Sequence, residues 1–208
     1  MPSISYAITA CNEHVELEHL LDQLNKAIRP EDEIVVQLDT TATAEVKAVA
    51  EKYNVGYKCD YHRIYYSLNN DFASFKNNLS EHCTRDYIFQ LDADEYPHSE
   101  LIENLPSLLE HNPEIDVFLV PRINTVEGLT ESHIKQWGWS VEKGRVNFPD
   151  YQWRIWINKK NIKWINKVHE RLDGFGLYCN LPPLDELCIF HPKEIKRQEK
   201  QNNYYNTL

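Results

Sequence analysis

Two carboxylates stand one residue apart where an apolar run ends, in the segment Phe-Gln-Leu-Asp-Ala-Asp-Glu at 89–95. Unpaired charges at the end of a buried strand are costly, so Asp92 and Asp94 need a positive partner. A hard divalent cation bound through oxygen atoms and shared with a diphosphate would satisfy both carboxylates. The alternative is a solvated acidic turn, because a D-x-D spacing also occurs by chance. The metal-site interpretation therefore depends on which other polar residues lie beside this segment.

The elements that must position these carboxylates alternate between strand and helix through about residue 120. Apolar, β-rich runs predict strands over 3–10, 34–38, 87–91 and 117–120, with an extended piece near Val55–Tyr57. Helical spacing predicts helices from Leu17 to the Arg29-Pro30 stop, over 43–53, over 71–82 with Asp71 as N-cap, and over 99–111. This alternation is typical of a parallel sheet with helices on both faces, in which ligands bind at the carboxyl ends of the strands.

Length and charge exclude several classes of protein. A chain of 208 residues with 42% hydrophobic residues is expected to form one globular domain. Its 22 Lys and Arg against 32 Asp and Glu give a net charge of −10, which disfavours nucleic-acid binding over the whole surface. The sequence contains no P-loop or G-x-G-x-x-G motif, so kinases and dinucleotide oxidoreductases are poor candidates. With no secretory leader or transmembrane run, the sequence predicts a cytoplasmic location.

The composition changes near residue 123. All five tryptophans lie between 137 and 164, and residues 135–171 carry nine Lys or Arg against three Asp or Glu. Residues 151–157 and 163–166 are predicted to be antiparallel strands around a turn at 158–161, and 187–190 to be the last strand. We therefore divide the single domain into residues 1–122, residues 123–192 and a polar helical tail at 193–208.

Four segments in this order, residues 3–13, 33–39, 71–77 and 87–95, resemble the nucleotide-binding half of family 2 glycosyltransferases with the GT-A fold. Residues 167–170, Lys-Val-His-Glu, are similar to the Val-His-Glu segment of the branch that includes lipopolysaccharide-core sugar transferases. The resemblance implies an α/β fold with a Rossmann-like, mostly parallel sheet flanked by helices and a small aromatic-rich antiparallel part. It assigns nucleotide-sugar binding to 1–122, and acceptor binding and catalysis to 123–192.

The resemblance also implies which residues contact the donor. Asp39 would accept hydrogen bonds from uracil or a ribose hydroxyl, or else would cap a helix. Lys76 stands where the family commonly has arginine, so it would meet the diphosphate as a point charge, or else would be a solvated helix lysine. The implied donor-binding set is Thr9, Cys11, Asn12, Glu13, Asp39, Lys76, Asp92 and Ala93. UDP is the expected nucleotide, although residues 40–43, Thr-Thr-Ala-Thr, depart from the Gly/Ser-rich turn of relatives.

The metal and the catalytic base are implied in the same way. Mn²⁺ or Mg²⁺ would be bound by Asp92, Asp94 and His191, where His191 resembles the late histidine of many GT-A enzymes, or else is simply a satisfied polar residue. An inverting transfer needs a carboxylate that takes the proton of the acceptor hydroxyl. Glu170 is the first choice, with His169 orienting it or the phosphates, and Asp150 is the runner-up. The alternative to a catalytic role for Glu170 is an ion pair with Arg171 or Lys167.

Three functions compete at this point. The leading hypothesis is a metal-dependent glycosyltransferase that moves a sugar from a UDP-sugar to a glycan or another hydroxyl acceptor, with inversion. Tryptophan faces could stack on sugar rings, and Lys or Arg could hold acceptor phosphates, whereas at least two of the tryptophans are expected in the core. The alternatives are a phage-type enzyme with a DNA nucleobase acceptor and a non-catalytic carbohydrate- or nucleotide-binding module. A D-x-D phosphatase is disfavoured, because the first strand ends in Cys-Asn-Glu at 11–13.

Overall fold

The structure of the protein is a computed structural model that describes residues 1–53 and 58–205. The helices are α1 (His14–Ala27), α2 (Ala44–Lys52), α3 (Phe72–Glu81), α4 (Ser99–His111), α5 (Glu131–Trp137) and α6 (Ile195–Tyr205). The strands are β1 (Ile4–Ala10), β2 (Glu33–Asp39), β3 (Asp60–Tyr66), β4 (Tyr87–Asp92), β5 (Tyr96–Pro97), β6 (Val117–Glu127), β7 (Val141–Glu142), β8 (Arg145–Ile157), β9 (Lys163–Ile165), β10 (Arg171–Asp173), β11 (Tyr178–Asn180) and β12 (Ile189–Glu194).

One large sheet organises the molecule, in the order β3-β2-β1-β4-β8-β6-β12-β5. The first four strands in this order are mutually parallel. Strand β8 runs antiparallel to both β4 and β6, and it joins the parallel part of the sheet to the second half of the chain. Strands β9 and β10 form a separate antiparallel pair. The carboxyl ends of β1, β2 and β4 therefore share one edge of the sheet.

Helices cover both faces of the sheet, so β1 is buried on both of its faces. Ile4, Tyr6 and Ile8 pack on one face in a core that includes the apolar side of α1 (Leu17, Leu20, Leu21 and Leu24). Ala7 lies on the other face in a second core with Trp156 and Trp164. These two buried tryptophans meet edge to face with ring centroids 5.6 Å apart. They confirm that at least two tryptophans serve the core.

The predicted α/β class, with a mostly parallel sheet and a small antiparallel part, is confirmed. Asp71 caps α3 as predicted, since its side chain accepts a hydrogen bond of 3.0 Å from the Ser74 backbone N–H. Strand β6 extends from Val117 to Glu127, so it runs through the predicted boundary at residues 122 and 123. The division of the domain into halves remains a prediction.

Three predictions about strands need correction or fall outside the structure. Residues 151–157 and 163–166 do not form a hairpin with each other, because β8 pairs with β4 and β6 whereas β9 pairs with β10. The last strand is β12, which begins at Ile189 and continues to Glu194, so the helical tail starts at Ile195. The piece near Val55–Tyr57 lies outside the described residues, and the strand that follows it, β3, was missed because Asp60, His62 and Arg63 interrupt its apolar pattern.

Every helix in the described part of the chain is too short or too polar to pass through a lipid bilayer.

Candidate active site

A cleft of about 1220 Å³ opens at the carboxyl ends of β1, β2 and β4. Strands β6, β8, β9 and β12, helices α3 and α6, and the loops at 67–70 and 169–170 also line it. Every residue that the sequence proposes for donor, metal or base lines this cleft, namely Thr9, Cys11, Asn12, Glu13, Asp39, Lys76, Asp92, Ala93, Asp94, Asp150, His169, Glu170 and His191. The ends of parallel strands thus bring together residues that lie far apart in the sequence.

Asp39 ends β2 with both carboxylate oxygens engaged. Its Oδ1 accepts the Thr41 backbone N–H at 2.7 Å and bonds the Thr41 hydroxyl, and its Oδ2 accepts the Leu68 N–H at 2.7 Å. Burial raises the pKa of Asp39, but these hydrogen bonds outweigh it and hold the pKa below its usual range. The N-cap of α2 is Thr43 and not Asp39. Asp39 therefore shapes the cleft wall as a carboxylate and does not cap a helix.

The side chain of Glu13 stabilises the turn after β1. Glu13 Oε2 accepts the backbone N–H groups of Cys11 and Asn12, each at 2.9 Å. Glu13 Oε1 lies 3.3 Å from the guanidinium of Arg197 on α6. Thr9 donates its hydroxyl to Asp92 Oδ1 at 2.8 Å, which ties the end of β1 to the end of β4.

Asp92 is held by Thr9, Gln90 and Arg154. Arg154 Nη2 donates to Asp92 Oδ2 at 2.8 Å, and Gln90 Nε2 donates to Oδ1 at 3.1 Å. Burial by itself would raise the pKa of Asp92, but the charges of Lys76 and Arg154 and these hydrogen bonds bring it far below its usual range. Asp92 is therefore a carboxylate with an internal cation as partner.

Asp94 lies against His191. Its Oδ2 is 3.2 Å from His191 Nε2 and 3.2 Å from the Arg197 guanidinium. Asn124 donates its amide to Asp150 Oδ2 at 2.8 Å, so its carbonyl oxygen must accept from His191 Nδ1, also at 2.8 Å. Nε2 is thereby directed to Asp94. Burial raises the pKa of Asp94, but the hydrogen bond and charge of His191 lower it to about 2.

The three residues predicted to bind a metal do not form one ligand set. Asp94 and His191 meet, whereas Asp92 bonds Arg154 and Thr9. Among the described residues, no group of three His, Cys, Asp or Glu side chains is arranged to hold a metal ion.

Glu170 pairs with Lys76 on α3 and not with Arg171 or Lys167. The Lys76 ammonium lies 2.6 Å from Glu170 Oε1 and 4.6 Å from the centre of the Trp164 ring. The Lys76 side chain is 6% exposed and the Glu170 side chain 19%, so the pair is largely shielded from water. Lys76 is therefore not a solvated helix lysine.

Asp150 on β8 is the more heavily bonded of the two base candidates. Its Oδ2 accepts from Arg122 Nε and Nη2 and from Asn124, and its Oδ1 accepts from Gln152 at 2.7 Å. Burial raises the pKa of Asp150, but the charge of Arg122 and these bonds keep it below its usual range. A carboxylate stabilised in this way is a weak proton acceptor.

Backbone strain concentrates at the cleft. His169 lies there with a φ of 55°, a conformation that non-glycine residues rarely adopt. The cleft-lining residues Asn69, Asn70 and Asn147 also have positive φ values. Such strain is typical of ligand-binding segments, where the surrounding structure holds it in place.

Sequence reasoning missed the cations that hold the acidic residues, Arg122, Arg154 and Arg197. Arg154 carried a usable signal, since a charge between Trp153 and Ile155 in a buried strand requires a partner. The sequence could not identify that partner.

Glycosyl transferase family 2 is the family whose sequence model matches this chain, over residues 5–179. The chain belongs to glycosyl transferase family 2. Among curated proteins, a comparison gives no match. Family membership agrees with the observed GT-A type of sheet and with a cleft at its carboxyl edge.

Solved structures resemble this family 2 domain in fold. S. aureus TarS 1-349 in complex with UDP aligns with a TM-score of 0.57 and 16% identity, over 89% of this chain and 62% of that chain. The mannosyltransferase PcManGT from Pyrobaculum calidifontis, in complex with GDP-Man and Mn²⁺, aligns with a TM-score of 0.51 and 18% identity, over 58% and 36%. The chain thus spans less than two thirds of the length of either structure. Nothing in these comparisons supports a DNA acceptor.

Proposed function

We propose that this family 2 domain transfers a sugar from a nucleoside diphosphate donor, with UDP expected, to the hydroxyl of a glycan or a similar acceptor, with inversion at the anomeric carbon. The observation that carries the proposal is one cleft in which Asp39, Asp94, His191, Lys76 and Glu170 converge from separate elements. Such convergence is not needed by a module that merely binds carbohydrate. The UDP-bound TarS structure of similar fold agrees with the expected nucleotide.

The donor would lie along the carboxyl edge of the sheet. Asp39 and the turn from Thr9 to Glu13 would face the nucleoside, at the ends of β2 and β1. Lys76 is a buried cation that lines the cleft, and it would meet the diphosphate as a compact charge without the bidentate geometry of arginine. Two negative phosphates offset the cost of keeping that ammonium out of water.

The chemistry of Asp94 and His191 fits a divalent ion. One is an ionised carboxylate, and the other has an imidazole whose Nδ1 is held by Asn124, the outer-shell arrangement common to metal-binding histidines. Mg²⁺ and similar ions often bind one or two protein groups and fill their other positions with phosphate oxygens and water, so no third side chain is required. The bound ion would offset negative charge on the departing diphosphate.

Glu170 would be the base. The acceptor oxygen attacks the anomeric carbon, the bond from that carbon to the diphosphate oxygen breaks with its electron pair leaving on the diphosphate, and the hydroxyl proton passes to Glu170. Single displacement of this kind inverts the anomeric configuration. The heavy bonding of Asp150 favours Glu170 over it. His169, beside Glu170 in a strained conformation, would orient the base or the phosphates.

The acceptor would enter from the side formed by β6, β8 and the segment after α5. Trp139 and Trp153 line the cleft there, are partly exposed, and could stack on the C–H face of a sugar ring. Lys193 and Lys200 line the same cleft, so an acceptor with phosphate or carboxylate groups would find positive charge.

A thermal-shift screen of UDP, GDP and CMP, each with Mn²⁺, Mg²⁺ or EDTA, tests donor and metal together. We expect UDP with Mn²⁺ to raise the melting temperature and UDP in EDTA to raise it less, because ligands that share a site stabilise jointly. Transfer is then measured with UDP-sugars and a panel of glycosides. Equal stabilisation in EDTA would remove the proposed bridge between metal and diphosphate, and a preference for GDP would remove UDP as the donor.

A further inference from the structure

A chain of buried charges connects the two walls of the cleft. Glu95 is fully buried, and its Oε1 accepts from Arg154 Nη2 at 2.6 Å and from Arg122 Nη1 at 2.9 Å. The same Arg154 nitrogen donates to Asp92 at 2.8 Å, and Arg122 donates to Asp150 at 2.7 and 2.9 Å. Three carboxylates and two guanidinium groups thus alternate from Asp92 to Asp150, and we call these five residues the buried ion chain.

Glu95 is tied to the acidic turn through its backbone as well. Its N–H donates to the Asp92 carbonyl at 2.9 Å, and its Oε2 accepts the Asp92 N–H at 3.2 Å. The side chain of Glu95 therefore cannot move without moving the backbone that carries Asp92. This geometry makes Glu95 the fixed centre of the buried ion chain.

The buried ion chain crosses three neighbouring strands. Arg154 lies on β8, whereas Arg122 lies on β6 directly opposite Asp150 of β8 in the strand register. The register between β6 and β8 shifts just after Arg122. A bulge of this kind redirects side chains and leaves the local ladder weaker. Hydrogen bonds between side chains are thus needed here to hold Asp92 and Asp150 in position.

Stability alone is a weak reason for such a chain. A buried ion pair seldom stabilises a fold more than well-packed apolar residues of the same volume, because both charges lose their water. The buried ion chain ends on two carboxylates that line the cleft, at Asp92 and Asp150. Its effect is therefore concentrated where the reaction is proposed to occur.

We propose that Glu95, acting through Arg122 and Arg154, is a positioning residue that fixes the separation of Asp92 on the donor side and Asp150 on the acceptor side. This inference rests on the proposed sugar transfer. Asp150 is then an anchor for the acceptor wall, which leaves Glu170 as the base. Misplacement of reacting groups by about 1 Å costs on the order of 10²-fold in rate.

The test is Glu95→Gln, with Glu33→Gln as the matched control. Glu33 is also fully buried and accepts hydrogen bonds from Ser5 and Thr84, but it begins β2, at the end of the strand opposite the cleft. Both variants are expected to lower the melting temperature. We expect Glu95→Gln alone to lower kcat by about 10²-fold and to raise the donor KM, measured well below its melting temperature. Wild-type kcat and KM in folded Glu95→Gln would overturn the proposal.

Arg122→Lys keeps the charge and removes the fork that spans Glu95 and Asp150, so it tests the proposal if Glu95→Gln fails to fold. A positioning role predicts a loss of kcat in Arg122→Lys, and wild-type kinetics in this variant would overturn it. Crystal structures of the wild type and of a folded variant give a readout that needs no activity. We expect the separation of the Asp92 and Asp150 carboxylates to change by more than about 0.5 Å. An unchanged separation refutes the positioning role even if the domain transfers no sugar.

Discussion

Replacement of Glu170 by Gln tests the proposed base and the buried pair at once. Glu170 contacts Lys76 at 2.6 Å, and the Lys76 side chain is only 6% exposed. Removing one partner of a buried ion pair costs about 3 to 5 kcal/mol. Glutamine keeps an acceptor oxygen, and the Trp164 ring at 4.6 Å still faces the ammonium, so we expect a smaller loss of about 2 kcal/mol. For a domain of this size, that loss lowers the melting temperature by roughly 4 to 8 °C.

The catalytic effect is expected to be separate from this loss of stability. Removing a general base lowers kcat by about 10²-fold or more, which corresponds to about 2.7 kcal/mol in the transition state. The assay is the initial rate with saturating donor at a temperature at which circular dichroism shows the variant to be folded. UDP affinity, measured by calorimetry with Mn²⁺, should hardly change.

Glu18→Gln is the matched control. Glu18 contacts Lys52 at the same distance of 2.6 Å, but both side chains are exposed and neither lines the cleft. Exposed pairs contribute little, so stability and rate should stay near the wild-type values. Full kcat in Glu170→Gln would refute the base assignment. A loss of UDP affinity as large as the loss of kcat would instead mean that Glu170 acts by holding Lys76.

Four further outcomes are expected. Asp94→Asn should abolish turnover and the Mn²⁺-dependent part of UDP stabilisation, measured by thermal shift, without preventing folding; wild-type turnover at limiting metal contradicts this. Asp39→Asn should have a lower melting temperature than the wild type at neutral pH. The difference should narrow as pH falls through the depressed pKa of Asp39, because only the ionised carboxylate stabilises the fold; a difference in thermal melts that does not depend on pH contradicts this. NMR of the product should show inverted anomeric configuration, and retention removes single displacement. Trp139→Ala should raise the acceptor KM several-fold with little change in donor KM, and the reverse pattern moves Trp139 to the donor side.

The fold was largely predictable because its strongest elements are short-range patterns. Leucines at helical spacing predict α1, and Ile-Val-Val at 34–36 with Leu38 predicts the buried strand β2. Strand β3 was missed because its residues are mostly polar or exposed, so the period of its side chains carries no clear signal. Strands β8 and β9 were recognised, but their partners were not, since pairing depends on segments far away in the chain.

The candidate site was also predictable from the sequence only in part. Turns at the ends of buried strands identified Asp39, Asp92 and Asp94 from the sequence, because a charged residue directly after an apolar run marks the strand end. The partner of Glu170 was expected among its neighbours Arg171 and Lys167, whereas the structure pairs it with Lys76 on α3. Sequence proximity is a poor guide here, since the chain bends at 167–169, with a φ of 55° at His169, and the partner lies 94 positions away.

The sequence by itself determined the alternating elements, the edge of the sheet at which polar residues gather and the types of residue available there. The tertiary structure alone decided which side chain each carboxylate meets: Arg154 for Asp92, His191 for Asp94 and Arg122 for Asp150. The polarity of each residue reflects whether it faces solvent or the core, so the pattern can be recognised over a few neighbouring residues. The pairing of buried charges is set by strand register and order, which bring residues 28 to 97 positions apart in the chain to within hydrogen-bond distance.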